Sequence, residues 1–553
     1  MADNIRVPEK ILEIIKSRGI AEEALEEFLS ARPRLAYDPF LLANMSEGVE
    51  LLLSAIDSGK RIFIYGDYDV DGITSTSLMM KVLSCLTDNL RYYIPSRIDE
   101  GYGLHRDAID RIKSEGGEFI VTVDCGSVSR DETAYAHSLG IETLVTDHHN
   151  ISEKIAEGLV INPKLPDDDY PFKGLAGVGV AYKLALAIAR KREIPKAVMA
   201  EIIELATVGT IADIMPMLDE NRTLVKCGLR SIHLGCRNKG LRELIDRSSL
   251  DYRTIKASDI SYGIAPKINA SGRLGDATIG VRLLISEDEN EIRECCEALI
   301  NANKERRRIQ DEAFDKGSLM LDEEMEKGDF LILEISDSHE GVLGIVAGKL
   351  REKVNRPVVV ISKGEGIYKG TGRSIPGVDL FSMLDKYREE FLSFGGHSAA
   401  CGFTIAETKI EELRKALNED MAAMLEEEEG LFELCYDYDV EISADDVDIE
   451  LARSLYLLEP CGKGNELPTF LIRSAEVTNW KYLKNEDKMA RFSIRTENGG
   501  IADAIIFSDA AEAFEAVCSG AVDIYGNIEI NTWRDEERVQ FIARSVVPSG
   551  NMN

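Results

Sequence analysis

The stretch Arg61-Ile-Phe-Ile-Tyr-Gly-Asp-Tyr-Asp-Val-Asp-Gly72 decides the fold. Residues Arg61 to Tyr65 read as a short buried strand of the kind found in parallel sheets. The strand breaks at Gly66 into an acid-rich turn, and a helical run follows from Ile73 to Leu86. The same layout recurs downstream. Phe119-Ile-Val-Thr-Val123 ends in Asp124-Cys-Gly126, and Ile141-Glu-Thr-Leu-Val-Thr146 ends in Asp147-His-His-Asn150. Strands that alternate with helical segments predict a parallel, helix-covered sheet of the α/β class.

In such a sheet, ligands bind beyond the carboxyl ends of the strands. Asp67, Asp69, Asp71, Asp124, Asp147, His148 and His149 should therefore meet on one rim. The chain has only seven histidines, and two of them are adjacent here. Crowded carboxylates repel one another and stay ionised together only when cations neutralise them. A carboxylate-rich site with one or two imidazoles suits Mn²⁺ or Mg²⁺ better than zinc or an iron–sulfur cluster. Read singly, each piece has a plainer meaning. The Asp-x-Asp-x-Asp-Gly turn fits a helix cap, and Asp124 fits a strand-end cap. A calcium loop needs Glu at its twelfth position, which counted from Asp67 is Leu78. Taken together at regular strand ends, the residues point to a metal-dependent phosphoesterase. Paired metals generate hydroxide near neutral pH and stabilise charge on phosphoryl oxygens.

The 553 residues carry 98 acids against 65 Lys and Arg, a formal charge of −33. That balance argues against a protein that coats nucleic acid by bulk charge. Hydrophobic content of 44% with 29% charged residues describes an ordinary globular chain. No apolar run reaches the ~18 residues of a membrane span, and residues 1–6 lack a signal-peptide pattern. The ten cysteines form no C-x-x-C pair, which argues against a zinc ribbon or disulfide framework and fits a reducing cytoplasm.

Five segments are expected: an N-terminal helical segment at 1–45, a parallel-sheet domain at 46–288, a connector helix at 289–327, a smaller α/β domain at 328–430, and a β-barrel at 431–553. Within the small α/β domain, 379–391 reads as a helix. Residues 421–450 hold twelve acids and no Lys or Arg, and read as a solvated linker or face leading into the barrel and its first strand. Arg306-Arg-Arg308 reads as a solvated helix face, with a strand-binding patch as the alternative. Gly177-Val-Gly179 reads as helix packing. Both tryptophans, Trp480 and Trp533, lie near the C-terminus. Most barrel aromatics should be core, with Trp533 the best base-stacking candidate.

The motifs in their order resemble the DHH phosphoesterase superfamily. The resemblance rests on Gly66 to Ser75, Val123 to Gly126, Asp147 to His149, Gly177 to Lys183 and Gly209 to Pro216, and on the DHHA1-type Phe394 to Gly402. Pro95 to Leu104, Ile268 to Gly275, His339 to Ala347 and Leu458 to Asn465 narrow it to the superfamily's single-stranded-DNA exonucleases. Ser338 and Cys461 depart from the usual pattern, and Thr371 stands for a serine. The resemblance implies a DHH domain, a DHHA1 domain and an OB-type barrel. It implies two Mn²⁺ or Mg²⁺ ions, with Asp124 bridging, Asp67 and Asp69 on one ion, and Asp71, His148 and Asp213 on the other. It places His149 by the scissile phosphate, with Asp147 orienting a histidine. It assigns the substrate strand to Arg97, Tyr102, Arg273, Thr371, Arg373, Gly395, Gly396 and His397. The implied reaction is 5′→3′ hydrolysis of single-stranded DNA to mononucleotides, in repair and recombination. The implied partners are a single-strand-binding protein and a helicase, with a cytoplasmic monomer as the acting form. A phosphodiesterase for short oligonucleotides or cyclic dinucleotides, and an inactive replication scaffold, are the rival readings.

Overall fold

The computed structural model describes residues 7–550, except 98, 337, 365, 429, 434, 435, 484–487, 534 and 535; for 532 and 533 it describes the backbone only. Five strands, β1 (Ile62–Tyr65), β2 (Leu90–Tyr93), β3 (Phe119–Val123), β4 (Glu142–Thr146) and β5 (Leu159–Ile161), form the first sheet. Their order is β2-β1-β3-β4-β5, and all pairs are parallel. Every residue of β1 and β3 is buried, as a sheet covered by helices on both faces requires. The strand order reverses between β1 and β3, so the crevice of this doubly wound sheet opens there. The turns after β1, β3 and β4 carry Asp67 to Asp71, Asp124, and Asp147 to His149. Because β3 pairs with both β1 and β4, those three turns lie side by side.

The connector is a 37-residue helix, Glu289–Met325, about 55 Å long at ~1.5 Å per residue. Its buried stripe is apolar at one end (Ile292, Cys295, Cys296, Leu299) and small or apolar at the other (Ala313, Gly317, Leu321). Between them the stripe is polar: Asn303, Arg306 and Gln310. The ends pack on two different cores, and the polar third bridges the gap.

The second α/β body holds β6 (Leu331–Glu334), β7 (Val358–Lys363), β8 (Ile367–Arg373), β9 (Phe391–His397) and β10 (Ala400–Ala406). The order is β6-β7-β8-β10-β9, parallel only between β6 and β7. The helix expected over 379–391 is shorter, Leu380–Asp385, and Phe391 opens an edge strand instead. There Phe391 and Phe394 stack on each other, while Phe391 packs on Phe403 and Phe394 on Phe381. That aromatic packing outweighs the helical pattern.

The C-terminal sheet has seven strands in the order β11-β12-β16-β17-β15-β14-β13: β11 (Val440–Glu441), β12 (Phe470–Ala475), β13 (Val477–Tyr482), β14 (Ala490–Arg495), β15 (Ile501–Ile506), β16 (Val522–Trp533) and β17 (Glu536–Pro548). Ile11, Ile14 and Ile15 of the helix Glu9–Ser17, with Phe28, complete this barrel's core rather than that of the parallel-sheet domain. The acidic 421–450 run is a linker only in part: the described residues between 428 and 439 form no helix or strand, while the rest folds into elements on either side. Its start continues the helix Ile410–Glu427. Asp439 pairs with Arg18 at 3.1 Å and Glu441 with Arg473 at 2.8 Å. Asp448 caps the helix Ile449–Ser454. The positive partners lie far away in sequence, so a local window sees only one sign of charge.

Candidate metal centre and strand-binding cleft

Backbone geometry fixes each carboxylate on the rim. Asp69 caps the helix Val70–Leu83 by accepting the Gly72 N–H at 3.1 Å. Asp71 points across to the first turn of the helix Gly177–Ala189. Its two oxygens each accept a backbone N–H at 2.7 Å, from Gly177 and from Val178. The positive end of that helix favours the negative charge. Asp124 stands at φ +62, a left-handed conformation that side chains adopt only under tertiary constraint. A Cβ on Gly177 would lie 2.4 Å from Asp124 Oδ1, so glycine is needed there for close approach. Ile214, next to Asp213, is also left-handed at φ +54, and for a β-branched residue that is strain.

These residues converge into three groups, each with ligand atoms within 4.8 Å of one another: Asp67, Asp69 and Asp124; Asp71, His148 and Asp213; and Asp124, His148 and His149, which shares a member with each of the other two. His148 Nε2 lies 3.2 Å from Asp124, 3.5 Å from Asp213 and 3.8 Å from Asp71. Asp67 Oδ1 and Asp124 Oδ1 are buried and accept no hydrogen bond. Buried anionic oxygens without donors are costly, and a divalent cation held by Asp67, Asp69 and Asp124 would satisfy them. The donor set of carboxylates and one imidazole fits Mn²⁺ or Mg²⁺.

Burial first, then Asp69, pushes Asp67 up to about 8 and Asp213 up to about 7. Asp71 and Asp124 move the same way, through burial and then their acidic neighbours. Burial, then the field of His149, takes His148 down to about 3, so it presents a neutral imidazole. His149 behaves oppositely. Burial disfavours its charge, but the hydrogen bond from Nδ1 to Asp147 at 2.7 Å prevails and raises its pKa. Against its burial, the His149 imidazole, then the backbone N–H groups of Ser127 and His149, hold Asp147 ionised; the His148 N–H also donates to it. Tyr102 OH sits 2.9 Å from His149 Nδ1.

These shifts make metal binding depend on pH. In metal-free protein the folded carboxyls hold protons that the unfolded chain releases from 3.8 upward. Folded values above unfolded ones mean that their stabilising contribution is full below about pH 4 and is lost as pH rises toward about 8. Cations replace those protons. EDTA is thus expected to lower the melting temperature by several degrees more near pH 8 than near pH 5.5. Equal shifts in differential scanning calorimetry at the two pH values would contradict a shared carboxylate site.

On the Asp67–Asp69 side, arginines gather. Arg97 lies over the Tyr68 ring at 4.9 Å. Arg273 donates to the Gly341 carbonyl at 2.9 Å, across the seam to the second α/β body. Burial, and then the positive charges of Arg97, Arg306 and Arg373, pull Arg273 down to about 10. Arg373 and Thr371 at the end of β8 face Gly344, where a Cβ would come within 2.8 Å of the Arg373 guanidinium. Arg306 is the residue that sequence reading undervalued. It is buried and donates only to the neutral amides of Asn303 and Gln310. Arg308 is the solvated member of the run, paired with Glu305 and Glu312. Gly395, Gly396 and His397 end the exposed edge strand β9; among the described residues, no hydrogen bond joins them to the rim. The Trp533 side chain lies outside the described residues, and Trp480 is core, stacked on Phe492 at 4.9 Å.

A doubly wound sheet with this carboxylate–histidine rim, facing a second α/β body across an arginine-lined seam, defines a DHH phosphoesterase. Family models agree: the DHH family N-terminal domain matches residues 61–210, the DHHA1 domain 327–423, and the RecJ OB domain 438–545. The single-stranded-DNA-specific exonuclease RecJ of Bacillus subtilis is 33% identical over 99% of this chain and 69% of its own length. That of Salmonella typhimurium is 31% identical over 98% of this chain and 96% of its own. The crystal structure of RecJ in complex with Mn²⁺ from Thermus thermophilus superposes with a TM-score of 0.81 at 27% identity, covering 98% of this chain and 77% of that one. A Mg²⁺ complex from the same source gives a TM-score of 0.74. The chain belongs to the RecJ family of single-stranded-DNA-specific exonucleases.

Proposed function

We propose that this protein is a metal-dependent exonuclease that hydrolyses single-stranded DNA from its 5′ end, releasing mononucleotides, in DNA repair and recombination. The observation that carries the reading is the pair of ligand groups sharing a rim around Asp124, flanked by half-buried arginines that have no carboxylate partner among the described residues. In this reading Asp67, Asp69 and Asp124 hold one cation, Asp71, His148 and Asp213 the other, and Asp124 serves both. When bound, the cations supply a hydroxide nucleophile near neutral pH and offset charge on the phosphoryl oxygens.

The protein's own groups do the rest. Asp147 fixes His149 in orientation and keeps it protonated, so His149 offers a cationic donor to a non-bridging phosphate oxygen. Arg97, Arg273 and Arg373 grip the terminal phosphate, with the Thr371 hydroxyl beside them. Holding the strand end at a fixed distance from the rim makes cleavage release one nucleotide at a time. Tyr102 contacts the strand beside His149, and Gly395, Gly396 and His397 contact it from across the seam. A single-strand-binding protein and a helicase belong to this reading as partners of a monomer. So does a cytoplasmic setting, supported by nine described cysteines that are all free thiols. No helix among the described residues is long and apolar enough to cross a membrane.

The test is one assay with Mn²⁺ or EDTA. Its substrates are 5′-labelled and 3′-labelled single strands, the matching duplex and a dinucleotide. Labelled mononucleotide is expected at once from the 5′-labelled single strand only, and nothing in EDTA. First release from the 3′ end would reverse the proposed polarity. Cleavage of the dinucleotide alone would favour a short-oligonucleotide phosphodiesterase, and no cleavage of any substrate a scaffold.

A further inference from the structure

The arginine seam accounts for one side of the metal rim. The opposite side, around Asp71, His148 and Asp213, carries two lysines that none of the assignments above uses. Lys164 follows Asn162, whose Oδ1 accepts the Lys164 N–H at 2.9 Å. Asn162 Nδ2 donates to the His149 carbonyl at 3.0 Å and to Ser127 Oγ at 2.9 Å. Lys164 is thereby tied to the histidine turn. Lys463 comes from a different domain, in the Leu458 to Asn465 segment that leads into the barrel. Its carbonyl accepts the Met217 N–H at 2.7 Å, just beyond Asp213 and the strained Ile214. A Cβ on Gly462 would lie 3.2 Å from the Met217 side chain, so the two loops are packed against each other.

Lys463 is not carried on a loose loop. Arg222, buried in the helix Asp219–His233, donates to the carbonyls of Leu458, Glu459 and Pro460 at 2.9–3.0 Å. Asn465 Nδ2 donates to the carbonyls of Leu458 and Pro460 at 2.8 and 2.9 Å. The segment is therefore anchored on both sides of Lys463. Both lysine segments thus meet the rim, one through Asn162 at the His149 carbonyl and the other through the Met217 N–H beyond Asp213. Lys164 and Lys463 also repel each other. Among the described residues, neither side chain makes a hydrogen bond or an ion pair. Asp147 and Asp213 balance part of this charge; with Asp213 taken up by a cation, two unpaired ammonium groups on anchored segments are free to hold an anion.

We propose that Lys164 and Lys463 form a second phosphate subsite, which takes the backbone phosphate immediately 3′ of the scissile linkage. The proposal rests on the function argued above, because that reading places the 5′ end among the arginines. The arginines lie by Asp67 and Asp69, and the lysines by Asp213. Asp124 stands between, so the strand axis runs from the seam across Asp124 toward the barrel. The barrel would then contribute directly to the register of the strand at the metal centre, in addition to binding DNA farther away.

A 5′-phosphorylated dinucleotide has a terminal and a scissile phosphate but none beyond. A 5′-phosphorylated 12-mer has all three. In the Mn²⁺-loaded full-length protein, the K164Q/K463Q variant is expected to lose at least ~tenfold more kcat/KM on the 12-mer than on the dinucleotide, chiefly through KM. The log–log salt slope of 12-mer binding, read by fluorescence anisotropy, should shrink by about 0.7, the value for one phosphate contact on a single strand. K164R/K463R should restore the slope. Equal losses on both substrates, or an unchanged slope, would overturn the subsite. K463Q alone must show the same pattern in weaker form; its side chain is exposed, so folding is not at stake. If the wild type itself released nothing from the 5′ end, the functional reading would fall, while the salt slope would still decide the lysines.

Discussion

Asp124→Asn should reduce hydrolysis of single-stranded DNA by ~10³-fold or more and, in the same protein freed of metal, raise the melting temperature near pH 8. The first effect follows from the position of Asp124, which groups with Asp67 and Asp69 on one side and with His148 and His149 on the other, 3.2 Å from His148 Nε2. Losing a shared ligand weakens activation of the nucleophile and stabilisation of the phosphoryl charge together, and ~4 kcal/mol of lost metal-centre electrostatics is ~10³ in rate. The second follows from crowding. Burial and four acidic neighbours, Asp71, Asp69, Asp67 and Asp213, work against ionised Asp124, so a neutral isostere relieves the metal-free fold. Asparagine keeps the shape that Gly177 accommodates. Steady-state kinetics with Mn²⁺ and calorimetry in EDTA read the two effects separately. More than ~10% residual activity would remove Asp124 from its bridging role. A lower melting temperature alongside lost activity would recast it as a structural residue.

Arg222→Ala should destabilise the docking of the barrel by about 3–5 kcal/mol. Arg222 is buried, and its guanidinium donates to five carbonyls, those of Phe28, Leu457, Leu458, Glu459 and Pro460. It also stacks on Phe28 at 3.8 Å. Burial pulls it down to about 10, still charged at any physiological pH. Asn465 also serves the Leu458 and Pro460 carbonyls and Lys226 that of Phe28, so the alanine leaves the carbonyls of Leu457 and Glu459 without their donor and removes a buried five-bond fork. Because the same segment touches the Asp213 loop, the loss should also slow turnover. Limited proteolysis should show early cleavage between the domains, and calorimetry a separate, earlier transition. A single transition shifted by less than ~1 °C would show that Arg222 is not the clamp.

Much of the rim was legible because its logic is local. A buried strand, a turn and a helix place a carboxylate at a predictable spot, and three such units in a row place the residues Asp67 to Asp71, Asp124 and Asp147 to His149 on adjacent strand ends. Asp213 was not legible that way. It lies at the end of the helix Lys196–Ala212, far from any strand, and only the resemblance pointed to it. Lys164 and Lys463 carried no signal at all, since an isolated lysine in a loop is usually solvated. Arg306 was misweighted for a related reason: the three-arginine run hides the fact that helical periodicity turns one member inward and another outward.

The formal charge of −33 shows the same division. Short windows of sequence were enough for the parallel sheet, the carboxylate–histidine rim, the connector helix and the preference for divalent cations, because periodicity and strand-end chemistry are local properties. Where the opposing charges go was settled by the folded chain alone. Acids of the 421–450 run find Arg18 and Arg473, and the N-terminal helix joins the C-terminal barrel. Arg97, Arg273, Arg306 and Arg373 collect on one side of Asp124, with Lys164 and Lys463 on the other. Such placements depend on contacts between residues hundreds of positions apart, and the energy of a charge depends on what surrounds it, which no local stretch of sequence records.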